Sequence, residues 1–228
     1  MLNHNKSGKL IVFEGADGSG KSTQAQKVHE YCQKNGIPAI MTMEPGGTKL
    51  GHMIKEILHG DMDIDPYANL GLILAARAQH IKEVVRPALE KGILVISDRG
   101  PLSTFMYQII GKQLPVSVVA VLNKVSMHGI IPDATILFTV SLKEALKRTM
   151  DRDGKHSPYE KSESYARVVE GYENLASGRL SVDKSFIGHK LVSFSSENSY
   201  PSALTQQVVI AMTRMGFLEN KRDVREEI

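Results

Sequence analysis

The sequence predicts an α/β protein built on a parallel sheet with helices on both faces. Three observations carry that expectation. Short apolar runs alternate along the chain with longer segments of helical periodicity. The runs are apolar throughout rather than every second residue, as strands buried on both faces are. A glycine-rich turn stands directly between the first run and the first helical segment.

The elements follow in chain order. Residues 10–13 (LIVF) form a first strand that ends at Glu14 and Gly15. Ala25, Val28 and Cys32 recur at i, i+3 and i+7, so a helix follows the turn, and Gly36 stops it. Residues 37–43 make a second strand, ending in the turn-forming cluster Glu44-Pro45-Gly46-Gly47. Residues 50–59 read as a helix. Residues 66–90 read as a longer one, with Ile73, Arg77, Ile81, Val84, Val85 and Ala88 along one stripe. Residues 93–97 are a third strand, closing at Asp98-Arg99-Gly100. Helices are expected around 102–110 and 116–128, a fourth strand at 134–140, and a helix from 142 to 150. Ser157-Pro158 breaks that pattern. A helix over 161–175, a fifth strand over 190–194 and a last helix over 203–215 complete the reading. Residues 1–217 are expected to form one domain and 218–228 a charged tail.

Composition narrows the function. At 228 residues with 42% hydrophobic content, the chain can bury one substantial core. The net charge of +3, with no arm or stripe of Lys and Arg, argues against a dedicated nucleic-acid surface. A lone cysteine, Cys32, makes neither an internal disulfide nor a Cys-rich zinc site, and it reads as a small buried apolar residue in a reducing compartment. No stretch approaches ~18 consecutive apolar residues, and residues 1–9 hold no apolar leader core, so a cytoplasmic protein is expected.

The chemistry lies in residues 15–22, GADGSGKS, which fit G-x-x-x-x-G-K-[ST], the P-loop. Glycines let successive N–H groups turn toward one point, and the helix behind aims its positive end there. Gly15, Ala16, Asp17, Gly18, Ser19, Gly20, Lys21, Ser22 and Thr23 are therefore the expected ATP site. Lys21 neutralises β/γ-phosphate charge, and Ser22 is a candidate Mg²⁺ ligand. Asp98 and Arg99 close a strand where open parallel sheets bind ligands, so Asp98 is a second Mg²⁺ candidate and Arg99 a bridge between anionic groups; a plain surface ion pair is the other reading. Residues 148–155 are rich in charge and read as a lid over the phosphates or as a solvated loop. Arg77 is a cation on an apolar stripe. Its partner is a nucleobase, a phosphate or a structural carboxylate.

Together these residues resemble the thymidylate kinases, which transfer a phosphoryl group from ATP to dTMP. The resemblance runs over roughly residues 9–215, through FEGADGSGKSTQ (13–24), EPGGTKLG (44–51), AARAQH (75–80), VVRPALEKG (84–92), SDRGPLSTFMYQ (97–108), PDATILFTV (132–140) and RVVEGYENLA (167–176). It implies a P-loop NTPase fold with a five-stranded parallel core, a mobile lid at about 150–160, Mg²⁺, and a homodimer. It also implies roles. Asp17 contacts the sugar 3′-OH of the acceptor, Arg99 sits on the acceptor phosphate, and Arg77 reads the thymine edge. Ser103, Thr104, Tyr107 and Gln108 line the base and deoxyribose, and Tyr107 crowds out a 2′-OH. Gly18 stands where some members carry a basic residue, which leaves a lid arginine to act: Arg152, with Arg148 beside it. The chain departs from the family at Met43 for Arg, at Ile73 for the aromatic that stacks on thymine, at Gly100 for an aromatic or His, and at Ser157-Pro158-Tyr159-Glu160 in the lid. Loss of base stacking weakens binding by about 1–3 kcal/mol. On sequence, a kinase of another deoxypyrimidine monophosphate and a nucleotide-binding paralogue of low activity stay open beside dTMP kinase.

Overall fold

Five strands, β1 (Leu10–Glu14), β2 (Ala39–Met43), β3 (Leu94–Asp98), β4 (Ala134–Thr139) and β5 (Leu191–Ser195), make one sheet in the computed structural model of the chain. All pairings are parallel and the order is β2-β3-β1-β4-β5. The structure describes residues 7–60, 62–154, 159–160 and 162–218. Lys155, the Ser157-Pro158 break and most of the expected tail lie outside the described residues. Leu218, expected to open that tail, is instead buried with Leu204, Val208 and Met212.

Ten helices surround the sheet among the described residues: α1 (Lys21–Lys34), α2 (Lys49–His59), α3 (Pro66–His80), α4 (Arg86–Glu90), α5 (Pro101–Thr104), α6 (Val116–Ser126), α7 (Leu142–Asp153), α8 (Glu163–Ala176), α9 (Lys184–Ile187) and α10 (Pro201–Arg214). β1 is buried along its whole length. Its residues alternate between faces, as the pleat requires. Ile11 and Phe13 pack with Val28 and Cys32 of α1 and Val208 and Met212 of α10. Leu10 and Val12 pack on the other face, with Ile81, Val85 and Val95. Each such fully buried aliphatic stabilises the fold by about 1.5–3 kcal/mol.

The expected helix over 66–90 is one helical run with a π-helical turn, Ile81–Val85, between α3 and α4. Pro87 lies at the start of α4 and has no N–H to donate, which accounts for the locally widened turn. A second π-helical segment, Phe105–Gly111, continues α5 and carries Tyr107 and Gln108. The short α9 has no apolar period, so pattern reading passes over it; Asp183 caps it by accepting from the Ser185 N–H.

The strand order places the site. β1 lies between β3 and β4, so the loops leaving β1 and β3 face one another at the carboxyl edge of the sheet. Phe13 is in register with Asp98, and Asp98 with Met43. The P-loop, the Asp98-Arg99 turn and Glu44 thus emerge side by side.

Candidate active site

The P-loop wraps the N-terminus of α1. Ala16 and Ser19 are buried, while Ser22 and Thr23 are exposed on the first helical turn. The Lys21 ammonium lies back along the loop, 3.3 Å from the Ala16 carbonyl and 3.4 Å from Asp17 Oδ1. Burial and the nearby Arg99 charge push the Lys21 pKa down, opposed by Asp17 and Asp98. Gly18 has φ 79°, and a Cβ there would lie 2.6 Å from the Ala145 carbonyl oxygen of α7. No side chain fits at that position, so no basic residue can serve from it.

Arg99 leaves β3 with φ 74° and turns toward the P-loop. Its Nη2 is 2.5 Å from Asp17 Oδ1 and 3.3 Å from the Tyr107 hydroxyl, and its Nη1 is 3.2 Å from Ser103 Oγ. The guanidinium also lies over the Tyr107 ring, 5.1 Å from its centroid. Burial alone raises the Asp17 pKa, but Arg99, Lys21 and Arg152 together hold it far below the usual carboxylate range. The structure therefore brings Asp17, Lys21, Arg99 and Tyr107 into one cluster, two cations facing one carboxylate. An anion arriving there meets both cations.

The wall expected to read a base is arranged differently. Arg77 is 1% exposed. Its Nε and Nη2 reach Glu44 Oε2 at 2.8 and 2.7 Å. Nη1 donates to Thr104 Oγ1 at 2.9 Å and to Asn123 Oδ1 at 2.6 Å, and Nη2 to the Gly100 carbonyl at 2.9 Å. Its five N–H groups meet five contacts within the protein. Of the partners the sequence left open, the one present here is a carboxylate, Glu44. Ser103 and Thr104 are likewise engaged: Ser103 Oγ donates to Glu14 at 2.7 Å, and Thr104 accepts from Arg77. Gln108 is buried and donates to Asn69 at 3.2 Å, across to the α3 stripe that also holds half-buried Ile73. Ile73 lines this wall without a ring to stack.

Arg148 and Arg152, the arginines expected in the lid, lie on α7. Arg148 bonds Glu144 at 2.8 Å, the Gly18 carbonyl at 3.2 Å, and Ser196 Oγ and O at 3.0 and 2.9 Å. It ties the P-loop to the loop after β5. Arg152 is 59% exposed, pairs with Asp153 at 2.6 Å, and contributes to the lowered pKa of Asp17. Tyr159 stacks on Tyr107 with centroids 5.9 Å apart, and buried Tyr165 donates to the Asp17 carbonyl at 2.8 Å.

Sequence reading missed Glu14, Glu44 and Tyr165. Glu14 is fully buried and accepts from the Gly100 N–H (2.8 Å), the Ser103 N–H (2.9 Å), Ser103 Oγ (2.7 Å) and the Tyr172 hydroxyl (3.0 Å). Burial raises its pKa despite these donors. The signal was present: a carboxylate ends an otherwise apolar buried strand. For a divalent cation, the fit rests on Asp98. Its Oδ1 is buried without a hydrogen-bond partner, and the exposed Ser22 lies in the first turn of α1. No group of three His, Cys, Asp or Glu forms a metal site among the described residues. That suits Mg²⁺, which takes one or two protein oxygens together with phosphates and waters.

Comparisons with known proteins agree with this geometry. The pattern of the family described as thymidylate kinase matches residues 13–184. Thymidylate kinase of Nitratidesulfovibrio vulgaris is 41% identical over 173 residues, covering 72% of this chain and 77% of that protein. Thymidylate kinase of Kosmotoga olearia is 41% identical over 170 residues, covering 73% and 81%. The crystal structure of thymidylate kinase from Ehrlichia chaffeensis superposes with a TM-score of 0.69 at 25% identity, covering 90% of this chain and 99% of that one.

Proposed function

The chain belongs to the thymidylate kinase family, and we propose that it moves the γ-phosphoryl group of ATP to dTMP, giving dTDP. The observation that carries this reading is the meeting of donor and acceptor elements. Arg99, at the end of β3, lies 2.5 Å from Asp17, inside the loop built for ATP phosphates.

The residues divide the work. The P-loop amides and the α1 N-terminus hold the β- and γ-phosphates, and Lys21 neutralises them. Arg99 moves from Asp17 onto the acceptor phosphate, and Asp17, once released, accepts from the acceptor's 3′-OH. Tyr107 lies beside both and limits the space available to a 2′-OH. Arg152, exposed at the end of α7, closes on the transferring group. Two phosphates held in line need no covalent intermediate and no strong general base, so positioning and charge stabilisation supply the rate. Ser22 and Asp98 would hold Mg²⁺, which would supply positive charge against the phosphates of ATP.

A homodimer belongs to the same proposal. Leu50, Met53 and Ile57 of α2 and Val116, Val118, Val121, Leu122 and Val125 of α6 are exposed. Such apolar rows on two helices that both pack against α3 fit a second copy of the chain. A cytoplasmic location rests on the buried lone thiol Cys32 and the demand for ATP. No helix among the described residues is long and apolar enough to cross a membrane.

Purified protein with ATP, Mg²⁺ and dTMP should form ADP only when dTMP is present. A folded sample without dTMP-dependent ADP formation overturns the reading.

A further inference from the structure

A loop that holds phosphates with its amides must turn its carbonyls the other way. Across a trans peptide the C=O and the following N–H point in opposite directions, so each amide aimed into the pocket leaves a carbonyl aimed at the protein behind it. Those carbonyls need donors of their own. Residues 16–18 show three in succession. The Ala16 carbonyl accepts from the Lys21 ammonium at 3.3 Å, the Asp17 carbonyl from the Tyr165 hydroxyl at 2.8 Å, and the Gly18 carbonyl from Arg148 Nη1 at 3.2 Å. Positive φ at Gly18 (79°) and Gly20 (81°) alternates with the ordinary φ of Asp17 and Ser19, the backbone pattern of an anion-binding nest.

The middle donor comes from α8, and it is fixed at both ends. Tyr165 lies in the first turn of that helix, where its N–H donates to Oγ of the capping Ser162 at 3.2 Å. Its ring is fully buried, in the core cluster that includes Ala16, Leu102, Met106 and Ala145. Tyr159 meets it edge-on, with ring centroids 5.8 Å apart. Burial pushes the Tyr165 phenol above its ordinary pKa, so the hydroxyl keeps the proton that it donates. The contact is made on the carbonyl side of the 17–18 peptide, opposite the amide, so a nucleotide held by that amide does not compete for it. We propose that Tyr165 is a positioning residue for the donor nucleotide: its hydroxyl holds the Asp17 carbonyl outward and so keeps the Gly18 N–H aimed at the phosphates of ATP. The proposal rests on residues 15–22 as the ATP site and is independent of the acceptor's identity.

Tyr165→Phe removes the hydroxyl and keeps the ring. The Asp17 carbonyl then loses its donor, and the 17–18 peptide is free to turn. Such a turn changes ψ of Asp17 and φ of Gly18 and leaves the Asp17 side chain in place. The loss therefore falls on ATP and spares the acceptor. Calorimetry of ATP with Mg²⁺, without dTMP, should show about 10-fold weaker binding in Tyr165→Phe, the worth of one hydrogen bond to a charged group. In steady state the KM for ATP should rise by a similar factor, while the KM for dTMP keeps the parent's value. A lower thermal midpoint with unchanged ATP affinity would show a packing role alone and overturn the proposal. Equal losses for ATP and dTMP would show a general loosening of the site and overturn it as well. If Tyr165→Phe does not fold, a structure of the unaltered chain with ADP and Mg²⁺ decides. The Gly18 N–H on a phosphate oxygen, with Tyr165 on the Asp17 carbonyl, supports the proposal, and a turned peptide overturns it. A parent that binds ATP without phosphorylating dTMP loses the dTMP kinase reading, and the calorimetric test of Tyr165 stands unaltered.

Discussion

Two arginines near the carboxyl edge of the sheet hold opposite positions. Arg99 has one carboxylate partner, Asp17, and lies in a partly open cluster with Lys21 and Tyr107. Arg77 lies behind it, 1% exposed, with every donor occupied. The difference teaches what makes a buried charge available. A cation held mainly by one exchangeable carboxylate can be released to a phosphate, because an incoming anion replaces that partner. A cation satisfied by five protein contacts gains nothing by leaving them, because each abandoned acceptor stays buried and unpaired. The first cation is free to exchange its partner, and the second ties Glu44, Gly100, Thr104 and Asn123 together.

The largest expected effect lies on the open side. Lys21→Ala should lower turnover by about 10³-fold or more. Its thermal midpoint should stay near that of the parent, because removing Lys21 leaves Asp17 paired with Arg99. Steady-state ADP formation beside a thermal melt checks both halves. Activity within tenfold of the parent would break the comparison.

The closed side should show the reverse balance. Glu44→Ala strands the Arg77 cation in the interior, and breaking a buried pair in this way costs about 3–5 kcal/mol of stability. Urea unfolding measures it, and a loss below about 1 kcal/mol would mean that water reaches Arg77 after all. The same group sets an acid limit. Burial alone raises the Glu44 pKa, but Arg77 and His80 bring it down to about 2, from an ordinary 4.5. A carboxyl whose folded pKa is depressed contributes its stability in full above the unfolded pKa. That contribution is lost as pH falls from 4.5 toward 2. Stability measured across that window should fall in the parent by more than in Glu44→Ala, which has no such group to protonate.

The smallest of the three effects sharpens the boundary between the sides. Arg152 is exposed and pairs with its neighbour Asp153, so Arg152→Ala should leave stability unchanged. If it closes on the transferring group, kcat falls by about 10²-fold with little change in the acceptor KM. An equal rise in KM with kcat unchanged would instead make Arg152 a ground-state contact.

Much of this was legible in the sequence, unevenly. The five strands were readable because parallel strands are apolar on both faces, and the P-loop was readable because phosphate binding by backbone groups requires glycines at fixed spacing. The π-helical segments were not, since an apolar stripe continues through a widened turn with little change of pattern. Arg77 illustrates the limit within the site. Its place on an apolar stripe announced a buried partner, yet a base and a carboxylate satisfy that rule equally well. Gly18 illustrates the converse. Its identity is read from the sequence, and the closeness of Ala145 shows why no side chain stands there.

What the sequence determined by itself is what local chemistry encodes: the alternation of strand and helix, the phosphate loop from Gly15 to Ser22, and a cation at the end of the third strand. What the tertiary structure decided is which distant groups meet. Asp17 and Arg99 are 82 positions apart along the chain, and Glu14 and Tyr172 are 158 apart. The first pair meets because the order β2-β3-β1-β4-β5 sets β1 beside β3, and the second because α8, packed on β4 and on Phe105–Gly111, reaches the end of β1 through Tyr172. No periodicity encodes that order. It follows from burying the apolar faces of all five strands at once, which is a property of the packed whole.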